Sequence, residues 1–151
     1  MNQIEWMFGK YIAMKSDGFS IFQSLTPKSN VHFFVEGLSL TEALEKFEYH
    51  KYSVVPVLSK EGEYLDTISE GDLLRFIKSQ QRYDEDLFNE INIEDINRYR
   101  SYKSIDINAS FNDVFELVLS QNFVPVVDDR NMFIGIIRRK DILYYVDDKE
   151  D

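Results

Sequence analysis

The chain has 151 residues, 44% of them hydrophobic and 29% charged, and a formal charge of -10. That length suits one domain or two small repeats on one core, and folding then buries roughly 68–70% of the unfolded surface without a disulfide or metal staple. With no cysteine, disulfides, thiol catalysis, Fe–S clusters and most structural zinc are excluded, and so acidic a chain is repelled by phosphate backbones, which excludes broad nucleic-acid binding.

Residues 1–24 read as an amphipathic, helical N-terminal extension. The start, Met1-Asn2-Gln3-Ile4-Glu5, lacks the basic and apolar regions of a secretory signal. No apolar run approaches the ~20 residues of a membrane span. The expectation is a cytoplasmic protein away from membranes. His32 and His50 lack a companion at metal-ligand spacing, so no metal site is expected.

A first strand is predicted at 31–35. Ser39-Leu40-Thr41-Glu42 then reads as a capping box, with Leu40, Leu44 and Phe47 on one helical face. Ser53-Val54-Val55-Pro56-Val57-Leu58 is a short apolar run, as in strands covered on both faces. Its proline suggests an edge or a bulge. The turn Ser59-Lys60-Glu61-Gly62 leads to another strand and a helix over 73–80. Residues 81–100 form a polar connector with a short helix.

The same order then returns. A strand is predicted at 104–107, a capping box at Ser110-Phe111-Asn112-Asp113, and a helical face on Phe111, Phe115 and Val118. Phe123-Val124-Pro125-Val126-Val127 is the second Pro-bearing strand, followed by the turn Asp128-Asp129-Arg130-Asn131 and a helix over 142–146. The acidic tail, 147–151, is expected to fray.

Adding 69 to Pro56, Ile68, Asp72 and Leu74 gives Pro125, Ile137, Asp141 and Leu143. This register holds without a gap for about 20 residues, the mark of an internal repeat. Upstream it continues with a two-residue slip, Ser39 falling on Ser110. The fold class expected is α/β (α+β), with two β-α-β-β-α repeats. Each leaves one sheet face bare, so the two form one pseudo-symmetric folding unit. The divisions are an extension at 1–24, repeat one at 25–80, a connector at 81–100, repeat two at 101–146 and the tail.

These features resemble a tandem pair of cystathionine-β-synthase (CBS) domains, a Bateman module, over roughly residues 25–146. The family signature, Gly-apolar-apolar-Ser/Thr-x-x-Asp, is matched by Asp66-Thr67-Ile68-Ser69-Glu70-Gly71-Asp72 and by Gly135-Ile136-Ile137-Arg138-Arg139-Lys140-Asp141. The chain is also similar to stand-alone CBS pairs, including cyclic di-AMP receptors of Gram-positive bacteria, most of all in its second copy. The resemblance implies a nucleotide sensor that binds AMP, ATP, S-adenosylmethionine or cyclic di-AMP in clefts between the repeats. The signature Asp would hold ribose, and the Ser/Thr with nearby cations would hold phosphate. It also implies a disc-like homodimer, with which the aromatics Trp6 and Phe8 are compatible.

Candidate ligand-binding residues follow. Ser69 and Asp72 fit ligand contact and helix capping equally, since Ser-x-x-Asp is a capping box. Asp66 in place of the signature Gly makes the first site a poorer phosphate holder. At the second site Arg138, Arg139 and Lys140 crowd a helix start that is already positive. A bound anion or a solvated patch paired with acids would each account for them. Arg138 and Arg139 cannot both point into one cleft while extended. Tyr52, Val54 and Phe123 border the Pro strands as packing residues or as walls of an adenine slot. No nucleophile–base set, phosphate loop or metal cluster is found, so no enzyme is expected. Two functions remain: a regulatory module that binds an adenine nucleotide and signals to a protein partner, or an interaction and dimerisation module with degenerate sites.

Overall fold

The computed structural model describes residues 2–3, 18–81 and 83–148. The strands are β1 (Thr26–Pro27), β2 (Phe34–Val35), β3 (Val54–Leu58), β4 (Tyr64–Ser69), β5 (Ile105–Asp106), β6 (Phe123–Val127) and β7 (Phe133–Arg138). The α-helices are α1 (Leu40–His50), α2 (Glu70–Ser79), α3 (Glu85–Glu90), α4 (Phe111–Val118) and α5 (Arg139–Asp148). Two units emerge. One is His32–Tyr102; the other joins the described parts of Met1–Val31 and Lys103–Asp151.

The unit His32–Tyr102 carries a sheet of order β2-β3-β4, with β2 parallel and β4 antiparallel to β3. Ser39 caps α1 by accepting from the Glu42 amide (3.1 Å), but the Glu42 carboxylate takes the Ser39 hydroxyl (3.1 Å) rather than its amide, so half of the predicted capping box forms. Leu40, Ala43 and Phe47 are buried on that helix, and Leu44 packs against the same core. Their partners are Phe34, Val55, Val57, Ile68 and Leu73, joined from the connector by Phe88, Ile93 and Ile96. Burying each large side chain stabilises by about 1.5–3 kcal/mol. The polar connector is therefore anchored: Ile93 N–H donates to Leu38 O (2.9 Å), and Glu94 accepts from the Gly37 amide with both carboxylate oxygens (3.0 Å each).

The second unit carries the sheet β1-β7-β6-β5. Phe111, Val114, Phe115 and Val118 of α4 pack on Val124, Val126, Ile137 and Ile142, with Ile21 from the N-terminal segment. β1 runs antiparallel to β7, pairing Thr26 with Ile136 and Pro27 with Gly135.

The repeat holds down to single hydrogen bonds. Val55 pairs with Ile68 and Val124 with Ile137; Pro56 pairs with Thr67 and Pro125 with Ile136. Glu70 N–H donates to Ser53 O (3.0 Å), and Arg139 N–H to Asn122 O (3.1 Å). Each turn closes alike, with Ser59 N–H on Glu63 O (2.8 Å) and Asp128 N–H on Met132 O (3.0 Å). Gly62 and Asn131 both take the positive φ these turns require.

Several expectations change. Neither proline sits on an edge: β3 and β6 are interior strands. The short strands β2 and β5 pair only with the two residues after each proline, so no ladder bond is asked of the missing N–H. Register shifts follow each proline, between Val57 and Leu58 and between Val126 and Val127. The closing helices start earlier than predicted, at Glu70 and Arg139, and α5 runs through Asp147 and Asp148. Most of the predicted N-terminal extension, including Trp6 and Phe8, and tail residues 149–151 lie outside the described residues.

Candidate functional site

Each repeat places its signature where β4 or β7 gives way to the following helix, and each junction borders a cavity. In the second unit the cavity is about 300 Å³, lined by Gln23, Ser24, Leu25, Thr26, Arg138, Asp141 and Tyr145. Arg138 ends β7 and Asp141 lies in the first turn of α5. Arg138 Nε donates to Asp141 Oδ2 (2.9 Å) and Nη2 to Oδ1 (3.2 Å), a fork-to-fork pair. It is partly exposed, 44% for the Arg138 side chain and 19% for Asp141, so it contributes little to stability and can exchange partners. The pair uses two of the five guanidinium N–H groups.

Arg139, the first residue of α5, faces elsewhere. Its Nε donates to Val118 O (2.7 Å) and its Nη2 to Gln121 O (3.2 Å), so it closes the C-terminal end of α4. It does not line the cavity. Lys140 is exposed. Phe123 is buried, opposite Arg138 in the β6–β7 ladder.

In the first unit the cavity is about 200 Å³, lined by Val54, Thr67, Ser69, Asp72, Arg75, Tyr99, Arg100 and Tyr102. Ser69 and Asp72 form a complete capping box: the Asp72 amide donates to Ser69 Oγ (3.1 Å), and the Ser69 amide to Asp72 Oδ2 (2.9 Å). Asp72 is 4% exposed and takes two more donors on Oδ1, the Tyr99 amide (2.9 Å) and Arg75 Nη2 (3.3 Å). Arg75 also stacks over the Tyr99 ring, 4.2 Å from its centroid. Asp66, in place of the signature Gly, accepts from the Thr67 amide (2.8 Å) and faces Arg98 (3.8 Å). Tyr64, deep in this unit, shares a 2.8 Å hydrogen bond with Thr67; burial pushes its phenol pKa well up.

The structure thus brings Val54, Ser69 and Asp72 to one cavity and Arg138 and Asp141 to the other. Tyr52 lines neither. It packs against the first unit's core and stacks with His32 (4.5 Å) and His50 (5.0 Å). Its buried hydroxyl has no hydrogen-bond partner among the described residues, and burial raises its pKa. Among the described residues no cluster of three metal-ligating side chains occurs, and no helix is long and apolar enough to cross a membrane. Sequence reasoning missed Arg75, Tyr99, Arg100, Tyr102 and the wall 23–26. Only Arg75 carried a signal, three residues after Asp72 on one helix face.

No curated protein matches the chain. Among solved structures, a CBS domain protein of Streptococcus pneumoniae superimposes with TM-score 0.78 at 21% identity, over 97% of this chain and 96% of that one. A CbpB solved in complex with c-di-AMP gives 0.77 at 26%, over 97% and 93%. CbpB of Listeria monocytogenes, also with c-di-AMP, gives 0.74 at 25%, over 86% and 96%. The CBS domain itself matches twice, at residues 23–79 and 93–148, the two stretches that share one ladder register and one pair of turns. The chain belongs to the CBS-domain family, as a pair of repeats.

Proposed function

We infer that this chain is a non-catalytic regulatory module that binds an adenine nucleotide, with cyclic di-AMP the first candidate. One observation carries the reading: a cavity of about 300 Å³ in the second repeat, lined by residues 23–26 and by Arg138, which Asp141 holds in place. That volume is at the lower end of small-molecule sites. Arg138 meets phosphate oxygens, Asp141 meets a ribose hydroxyl, and Arg139 steadies the helix end behind them. Phe123 lies opposite Arg138 in the β6–β7 ladder. Val54, Ser69 and Asp72 border the smaller cavity of the first repeat, and Tyr52 packs away from it. CbpB proteins at 26% and 25% identity carry c-di-AMP in their structures, which supports this ligand over ATP or S-adenosylmethionine. Binding would shift the pair between two arrangements and so alter contacts with a protein partner, in the cytoplasm and within a homodimer.

The competing reading is an interaction module with degenerate sites. The saturated Asp72 and the Arg138–Asp141 pair favour it. Thermal unfolding with AMP, ADP, ATP, S-adenosylmethionine, NADH and cyclic di-AMP decides. A true ligand at 100-fold its Kd adds about 2.7 kcal/mol of stability. A flat response to all six leaves the interaction module.

A further inference from the structure

The two signature aspartates are spent differently. Asp72 is almost wholly buried, and three donors converge on it: the Ser69 amide of its capping box, the Tyr99 amide and Arg75. A carboxylate has about four acceptor positions, so one is left. A ribose 2′,3′-diol needs two. The segment 98–102, which borders this cavity from the connector's end, is fixed at three points. Arg98 Nε donates to Thr67 O (2.9 Å), the Tyr99 amide to Asp72, and Tyr64 OH to Tyr102 O (3.0 Å). Arg98 adds donations to Ile93 O and Ile96 O, and Arg75 lies over the Tyr99 ring. Among the described residues Asp141 meets only Arg138, in a partly exposed pair that an incoming anion can divide.

We propose that the first-repeat site is latched by the chain's own connector, the Tyr99 amide standing where a ribose hydroxyl would bind, so that each chain holds one nucleotide, in the second repeat, until the latch opens. Arg75 is the clamp that holds the latch shut. The proposal rests on the nucleotide-sensor reading, and the test separates the two.

The measurement is the number of molecules bound per chain, by calorimetric titration of the full chain with cyclic di-AMP and, separately, AMP. Wild type binds one, and Asp141→Asn abolishes it while Asp72→Asn leaves it within twofold in affinity. Tyr99→Pro, which removes the donating amide, raises the number to two. Should proline unfold the connector, Arg75→Ala with Tyr99→Ala lifts the clamp without altering the backbone and gives the same increase. Two molecules on wild type, loss of the single molecule on Asp72→Asn, or one molecule on both opened variants overturns the latch. If wild type binds neither probe and an opened variant binds one, the latch stands and the second-repeat reading fails. If no variant binds either probe, both fail.

Discussion

Gly135 and Thr26 meet so closely that no other residue fits between them. A Cβ on Gly135 would stand 2.2 Å from Thr26 O, 2.9 Å from Leu25 Cδ1 and 3.1 Å from Pro27 Cα. The signature glycine thus lets β1 lie against β7, and residues 23–26 of that same segment wall the second cavity. Gly135→Ala is expected to lower stability by about 1–3 kcal/mol, since the obstacle is backbone and cannot rotate away. It should also weaken cyclic di-AMP binding more than Gly37→Ala, which meets nothing within 4 Å. Urea unfolding and titration of both variants check this; equal losses would deny Gly135 its part in the wall.

Asp72→Ala removes the acceptor of three N–H groups, two of them on backbone. Leaving buried donors unsatisfied costs about 1–3 kcal/mol. Asp72→Asn keeps one acceptor oxygen and should cost less. Chemical denaturation of the two variants, compared with an exposed control such as Asp86→Ala, measures the difference.

The two arginines should separate in opposite readouts. Arg138→Ala loses an exposed pair, so its stability changes by less than about 1 kcal/mol. Its affinity for a phosphate-bearing ligand falls more than for adenosine, because only the former loses a charge-assisted bond. Arg139→Ala uncaps α4 and lowers the melting temperature, at a cost of about 1 kcal/mol. A melting temperature unmoved by Arg139→Ala would show those bonds to be worth nothing.

Asp128 accepts from the Met132 and Arg130 amides, and those bonds lower its pKa from the ordinary 3.8. A depressed folded pKa contributes stability that is fully present above 3.8 and is lost as pH falls through the folded value. Acid titration followed by fluorescence should show the wild type losing more stability below pH 3.8 than Asp128→Asn, which keeps an acceptor but cannot titrate.

The order of elements, the serine caps of both first helices and the 69-residue register were legible in the chain, because they rest on local rules. Ser39 and Ser110 cap helices wherever those helices dock, and the period of apolar residues sets which face is buried. The family signature was legible for the same reason, since turn, strand and helix start are contiguous. Tertiary structure decided what those signatures do. Nothing near Asp72 in sequence reveals that the Tyr99 amide, 27 positions on, will bind it. Nothing around Arg139 reveals that its guanidinium turns back to Val118 and Gln121, while Arg138 opens to a cavity walled by residues 23–26. Both outcomes depend on segments far apart in the chain, and the backbone groups that complete each site carry no side-chain identity for a sequence to display.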